Sequence, residues 1–355
     1  MITVAYVPHS PDFSAPGDRR RLCAYARHRG IELVVADPAR TYDVVVVSAS
    51  ADIATWSRRR RSGEQIVYDI VDSYLAGRTG PKELLRGTAK YVLGDLGRPV
   101  LSYRRAIGRM CARADAVVCS TVEQRRAIER FCPNVHVILD VVDDVAHEVK
   151  RDYRSAEPLN IFWEGQPYTL HHFATLRDVI AQLNRERPVA LHLMTLLNFG
   201  RWSGRIGNVE TRKLIAAWFD RAYLYQWNAQ LLSRVATGCD LAVIPLDLRD
   251  AFARGKPENK LLSMWRMGLP TLVSATPAYG RAMAQAGLEM TCASDGEWLS
   301  RLRRYGDDEP ARRAAGTLGR EYAVSEHGTE RILERWDSVF ASVGVTVAPV
   351  SSPLR

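Results

Sequence analysis

Short runs of Val, Ile, Leu and Ala recur along this chain, each followed by a polar or glycine-bearing turn and then by a longer stretch of mixed character. In the first part such runs fall at 2–7, 31–36, 43–48, 66–70, 116–120 and 135–139. Continuous Val- and Ile-rich runs are what strands buried on both faces of a parallel sheet require. Helices are predicted between them at 19–29, 101–112 and 122–131. Residues 143–158 are polar, charged and without period, and read as a linker. A second alternation follows. Its strands are predicted at 160–163, 190–194, 222–225, 241–246, 271–274 and 289–292, and its helices at 170–185, 210–219, 229–237, 260–267, 279–286 and 297–305. A helical region over 309–341 leads into a loose tail. The pattern predicts an α/β fold of two Rossmann-like domains in tandem, facing an interdomain cleft and closed by C-terminal helices. Ligands in such folds bind at the carboxyl ends of the strands.

The most informative stretch runs Gly255-Lys-Pro-Glu-Asn-Lys-Leu-Leu-Ser-Met-Trp-Arg-Met-Gly-Leu-Pro-Thr-Leu-Val-Ser274. It reads as basic loop, helix, Gly-Leu-Pro turn and buried strand. Lys256, Asn259 and Lys260 stand where the helix begins, and free backbone N–H groups with the helix dipole favour an anion there. Two exposed lysines beside a helix start that bind nothing are the plainer alternative.

Composition narrows the classes. At 355 residues the chain exceeds one ordinary core and suits two domains. No apolar run approaches the ~20 residues that span a bilayer. The opening residues read as a first strand rather than a signal peptide. The six cysteines form no C-x-x-C pair, which points to reduced thiols in the cytoplasm and away from zinc. The net charge of +9 suits anionic substrates or a membrane surface; it is spread along the chain and is no nucleic-acid stripe. The run of arginines at 58–61 is a candidate for anionic headgroups or a solvated helix end. The acidic pairs at 143–144 and 307–308 lack partner ligands, so no metal and no cofactor are expected.

Four stretches carry a resemblance to a known family: Arg113-Ala-Asp-Ala-Val-Val-Cys-Ser120 with Val135-His-Val-Ile-Leu-Asp-Val-Val142; Tyr225-Gln-Trp-Asn228 with Cys239-Asp-Leu-Ala-Val-Ile-Pro-Leu246; the basic loop through Gly268-Leu-Pro270; and Pro277-Ala-Tyr279 with Asp295-Gly-Glu-Trp298. In these the chain resembles GT-B glycosyltransferases, especially the bacterial retaining branch with polysaccharide rhamnosyl- and mannosyltransferases. The resemblance covers nearly the whole chain. It implies an acceptor-binding domain at 1–150, a nucleotide-sugar-binding domain at 151–325, a helix at 326–343 returning to the first domain, and a tail at 344–355. It also implies sugar transfer from a nucleotide-diphosphate donor to a hydroxyl of a glycan, lipid-linked or small acceptor, in the cytoplasm or at the inner membrane face. One departure stands out. Many members hold the donor ribose with the second Glu of an E-x₇-E pattern, and aligned on the Gly-Leu-Pro turn this chain has Gly255 and Ser263 at the two places, with Glu258 displaced toward the loop.

The candidate donor residues are then Gly165, Gln166, Gln226, Trp227, Lys256, Glu258, Asn259 and Ser263. Gly165 and Gln166 follow the first strand of the second domain, where a backbone approaches phosphates. The indole of Trp227 offers a stacking face and Gln226 an edge-reading amide, although a Trp in the interdomain core is nearly as good a reading. His171 and His172 open the next helix and either touch the donor or cap that helix. Lys260 is a candidate catalytic residue, since a fixed cation speeds departure of a diphosphate. Acceptor candidates are Asp12, Gly17 and Arg19, in the loop after the first strand, where three successive arginines, Arg19 to Arg21, cannot all point inward. Asp69 and Asp72 lie at and past the end of the strand 66–70. Asp72 is the candidate catalytic base or acceptor-orienting group, with His9 and Asp12 as further candidates should the reaction invert. Two rival readings stay open: a non-catalytic GT-B binding or scaffold protein, motivated by the missing Glu pair, and a GT-B nucleotide-sugar epimerase.

Overall fold

The computed structural model describes residues 3–59, 62–75, 91, 94, 96–100, 102–155, 157–200 and 206–346. Arg60 and Arg61 of the basic run, and the tail from 347 onward, lie outside the described residues. The chain divides into two units: Met1–Val141 with Gly255–Pro257 and Thr329–Arg355, and Val142–Arg254 with Glu258–Gly328.

The first unit is built on a sheet of β1 (Val4–Val7), β2 (Leu33–Val35), β3 (Val44–Ser48), β4 (Gln65–Asp69), β5 (Ala116–Cys119) and β6 (Val135–Val137), in the order β2-β1-β3-β4-β5-β6, all parallel. Side chains alternate between faces along each strand. Ala5, Val45, Val47, Ile66 and Tyr68 pack on one side with the helices Ile53–Trp56 and Tyr103–Arg113. Val4, Tyr6, Val44, Val46 and Val67 pack on the other with Leu22–Arg29 and Thr329–Ser342. That last helix carries Trp336 and Phe340, both fully buried. Their rings lie 5.9 and 5.3 Å from Tyr25. Each burial of this size contributes about 1.5–3 kcal/mol. β2 is shorter than the apolar run that predicts it because it is an edge strand, and Val35 is left 58% exposed.

The second unit holds β7 (Leu159–Glu164), β8 (Val189–Thr195), β11 (Ala222–Gln226), β12 (Leu241–Ile244), β13 (Thr271–Ser274) and β14 (Thr291–Cys292), ordered β11-β8-β7-β12-β13-β14 and again all parallel. Numbered within the unit this is 3-2-1-4-5-6, the Rossmann order, and the direction of winding reverses between β7 and β12. In the first unit the reversal falls between β1 and β3. The short antiparallel pair β9 (Asn198–Gly200) and β10 (Ile206–Glu210) has no counterpart in the hydrophobic pattern, and the helix expected from 210 starts at Thr211.

The segment read as a linker is part of the second unit's frame. The Lys150 backbone N–H donates to Met267 O at 2.8 Å, and its ammonium donates to Thr237 O and Cys239 O at 3.1 and 2.7 Å, the carbonyl end of the helix Ala229–Thr237. The Tyr153 hydroxyl donates to Gly268 O at 2.8 Å, and the buried Arg312 guanidinium donates to Tyr153 O. A stretch that supplies caps and bridges has no reason to be periodic. No described helix is long and apolar enough to cross a membrane.

Candidate functional site

In the second unit the site grows from the helix Asn259–Arg266. Its Leu261, Leu262, Met264 and Trp265 are buried, while Asn259 and Lys260 begin it. The helix ends at Gly268, whose φ of +69° is open to glycine and costly for other residues. Behind it, Trp265 packs so closely on Gly319 that a Cβ there would meet the indole at 2.7 Å. This packing fixes the helix and, with it, Lys260 at the carboxyl end of β7.

There Lys260 Nζ donates to Glu164 O at 2.5 Å, lies 3.7 Å from Glu164 Oε2, and sits 5.5 Å from the Trp163 ring centroid. The Trp227 indole N–H donates to Glu164 Oε1 at 3.0 Å. Gly165 follows, and only glycine fits: an added Cβ would stand 2.6 Å from the Trp163 ring and 2.9 Å from Thr169 Oγ1. Glu258, the residue before the helix, is buried and lies 3.9 Å from Arg281. The buried Tyr279 hydroxyl has its pKa raised by burial first and then by the charges of Glu258 and Glu164. Glu164, Glu258, Lys260 and Arg281 thus bring two negative and two positive charges to the switch point of the Rossmann-ordered sheet.

Several candidates have other duties. The Ser263 hydroxyl, 5% exposed, donates to Asn259 O at 3.0 Å, so it is turned onto its own helix and not toward a ribose. Gln226 Oε1 accepts the Leu197 N–H at 3.0 Å and fixes the loop after β8, which leaves the side-chain NH2 as the edge-reading group. The Trp227 N–H holds Glu164. Gln166 acts through its carbonyl, which accepts from Thr169 N and Oγ1 at 2.8 and 2.7 Å. His172 Nδ1 accepts the Asp247 N–H at 3.2 Å, so this imidazole ties the helix Leu170–Phe173 to the loop after β12. Lys256 belongs to the first unit, with Nζ 3.4 Å from Asp72 Oδ1.

In the first unit the loop after β1 is held by Asp18. This fully buried carboxylate accepts from Tyr6 OH at 2.7 Å, His9 N at 2.8 Å, Ser10 N at 3.0 Å and Ser10 Oγ at 2.9 Å. His9 Nδ1 lies 2.8 Å from Ser50 Oγ, linking the loops after β1 and β3 at the reversal of winding. Gly17 lies under the His9 ring, where a Cβ would come within 2.7 Å, so its role is to seat that histidine. Burial lowers the His9 pKa from its ordinary value. Asp12 is exposed and accepts from Ser14 Oγ and N at 2.7 and 3.1 Å. Those bonds lower its pKa, which suits a turn and weakens it as a base. The Arg19 Nε–H donates to Ser14 O at 2.9 Å. Of the three arginines it is Arg21 that points inward. Fully buried, it donates to Asp69 Oδ1 and Oδ2 at 2.6 and 2.8 Å, to Ile138 O at 2.9 Å and to Asp140 Oδ1 at 3.1 Å. Burial raises the Asp140 pKa despite that guanidinium. Asp72, its side chain 32% exposed, stands just past this buried network.

Glu164, Arg281 and Asp18 escape the reading of motifs. Glu164 had one signal, a charged residue closing an otherwise apolar strand directly before Gly165. Among the described residues no group of His, Cys, Asp or Glu is arranged to hold a metal ion.

No protein-family model matches the chain, and no curated protein matches it in sequence. Solved structures do match its fold. The Anabaena protein HepE, in complex with UDP and glucose, aligns with a TM-score of 0.63 at 11% identity, over 96% of this chain and 100% of that one. WaaG, a glycosyltransferase involved in lipopolysaccharide biosynthesis, gives 0.55 at 13% identity, over 95% and 99%. TarM gives 0.60 at 10% identity over 84% of this chain but 54% of TarM, so the chain spans about half of TarM's length. At these identities the likeness is one of fold: the chain has two α/β units, each on a parallel six-stranded sheet with its helices, and in this it is similar to the GT-B glycosyltransferases.

Proposed function

We propose that the protein is a glycosyltransferase that moves a sugar from a nucleoside-diphosphate donor to a hydroxyl acceptor. The observation that carries this reading is the cluster of Lys260, Glu164 and Trp227 at the switch point of the Rossmann-ordered sheet, where such sheets take nucleotides. Support comes from HepE, which has this fold and is in complex with UDP and glucose. In this reading the second unit holds the donor. Lys260, fixed at a helix start, faces the diphosphate and stabilises the charge that grows on it as the sugar departs. The first unit holds the acceptor near Asp72, which orients the attacking hydroxyl. A hexose or deoxyhexose donor, kinship with polysaccharide rhamnosyl- and mannosyltransferases, action without a metal, and a cytoplasmic place with contact to an anionic membrane face belong to the same proposal and rest on sequence motifs and charge.

The test is turnover. The protein is incubated with UDP-, GDP- and dTDP-sugars, with and without glycan and lipid-linked acceptors, and nucleoside diphosphate release is measured. Acceptor-dependent release from one donor is expected. Free sugar released without need of an acceptor favours the epimerase reading, and neither release nor binding of any donor favours the scaffold reading.

A further inference from the structure

The two oxygens of the Glu164 carboxylate are in different states. Oε1 is fixed by the Trp227 indole N–H at 3.0 Å. Oε2 lies 3.7 Å from Lys260 Nζ, beyond hydrogen-bond range, and accepts no hydrogen bond from any described residue. It is also not among the buried polar atoms, and the side chain is 18% exposed, so this oxygen reaches solvent. A carboxylate only accepts hydrogen bonds and has about four sites for them. Its open oxygen therefore calls for an O–H or N–H donor.

The surrounding charge points the same way. With Glu164 and Glu258 set against Lys260 and Arg281, the cluster carries as many negative as positive groups. That is a poor cradle for phosphate alone, since the two carboxylates repel an anion as the two cations attract it. It is a good one for a ligand that joins phosphate to hydroxyl-bearing carbon, with the anion on Lys260 and a hydroxyl on Glu164. Two hydroxyls of this unit are already given elsewhere: Ser263 donates to Asn259 O within its own helix, and Thr169, beside Gly165, donates to Gln166 O.

We propose that Glu164 Oε2 accepts a hydroxyl of the donor, either from its ribose or from the sugar to be transferred, and that Trp227 is a positioning residue that fixes the carboxylate through Oε1. This rests on the glycosyl-transfer reading. The carboxylate that reads the donor's hydroxyls then comes from the end of β7 and not from the helix Asn259–Arg266.

The test is calorimetry on the full chain, comparing wild type, Glu164→Gln and Trp227→Phe. The ligands are UDP, GDP, their 2′-deoxy forms, and the matching nucleotide sugars. A hydrogen bond to a charged group corresponds to about tenfold to a hundredfold in affinity. If the hydroxyl is the ribose's, wild type prefers the ribonucleotide by at least about tenfold and E164Q loses that preference. If it is the sugar's, E164Q binds the nucleoside diphosphate as wild type does and binds the nucleotide sugar about tenfold more weakly. W227F keeps the charge, frees the carboxylate, and loses part of the same discrimination. E164Q binding every ligand with wild-type affinity overturns the Glu164 assignment and leaves the glycosyl-transfer reading standing. Wild type binding none of the ligands overturns both. Should E164Q fail to fold, an undiminished preference in W227F overturns the assignment by itself.

Discussion

Arg21 and Asp69 meet with no exposed surface at the carboxyl ends of the first sheet, whereas Lys260 and Glu164, at the matching ends of the second, are 28 and 18% exposed. In the first unit the charges answer one another: Arg21 spends its donors on Asp69, Ile138 and Asp140, and Asp18 accepts three bonds from its own loop and one from Tyr6 of β1. In the second, the Lys260 side chain is partly exposed and one oxygen of Glu164 reaches solvent. The same place in two similar sheets is riveted in one and left open in the other. Charge at a strand's carboxyl end is therefore a poor marker of a ligand site until burial is known.

The largest expected effect comes from breaking the rivet. Asp69→Ala leaves the Arg21 guanidinium buried beside a single carboxylate, and removing one partner of a buried pair costs about 3–5 kcal/mol. Urea unfolding measures it, and a loss below about 1 kcal/mol would mean the network is not structural. Next comes Gly165→Ala. The added Cβ meets the Trp163 ring at 2.6 Å, and overpacking of this kind costs about 1–3 kcal/mol. It also displaces Glu164, so nucleotide affinity should fall along with the melting temperature. Lys260→Ala should move stability by no more than about 1 kcal/mol, because a partly exposed pair contributes little. A large loss there would erase the contrast between the units.

The smallest effect is on pH dependence. Burial lowers the pKa of His9 from its ordinary 6.5, against the raising influence of Asp69, Asp18 and Asp140 and with the help of Arg21. As pH falls below 6.5 the unfolded chain takes up this proton while the folded chain resists it, so stability declines through that window and is flat above it. His136 and His192 are also lowered by burial and add to the slope. His9→Gln should flatten the curve in part, and an unchanged slope in chemical unfolding between pH 5 and 7 would show that His9 is not held neutral.

The fold was legible because buried parallel strands write themselves as runs of Val and Ile: Val44–Ser48 and Thr271–Ser274 emerge almost to the residue. The register of the Gly-Leu-Pro turn was legible too, since Gly268 adopts a left-handed conformation. Less readable was anything that depends on partners distant in sequence. Lys150 caps a helix end more than eighty residues away, and nothing local marks that bond. Within the basic loop, Lys256 and Lys260 look alike on paper, yet one pairs with Asp72 and the other with Glu164. Ser263 stood among the donor candidates, and the i−4 bond of its hydroxyl appears only once the helix is built. Motifs thus pointed to a candidate site in the second unit, while its polar contacts had to await three dimensions.

The central claim is that Lys260, at the switch point of the second sheet, holds the diphosphate of a nucleotide. Isothermal titration of wild type and K260A with UDP, GDP and dTDP tests it directly. The account predicts that wild type binds at least one of them and that K260A binds it about tenfold to a hundredfold more weakly, with unfolding near that of wild type. Equal affinity in the two proteins would contradict it.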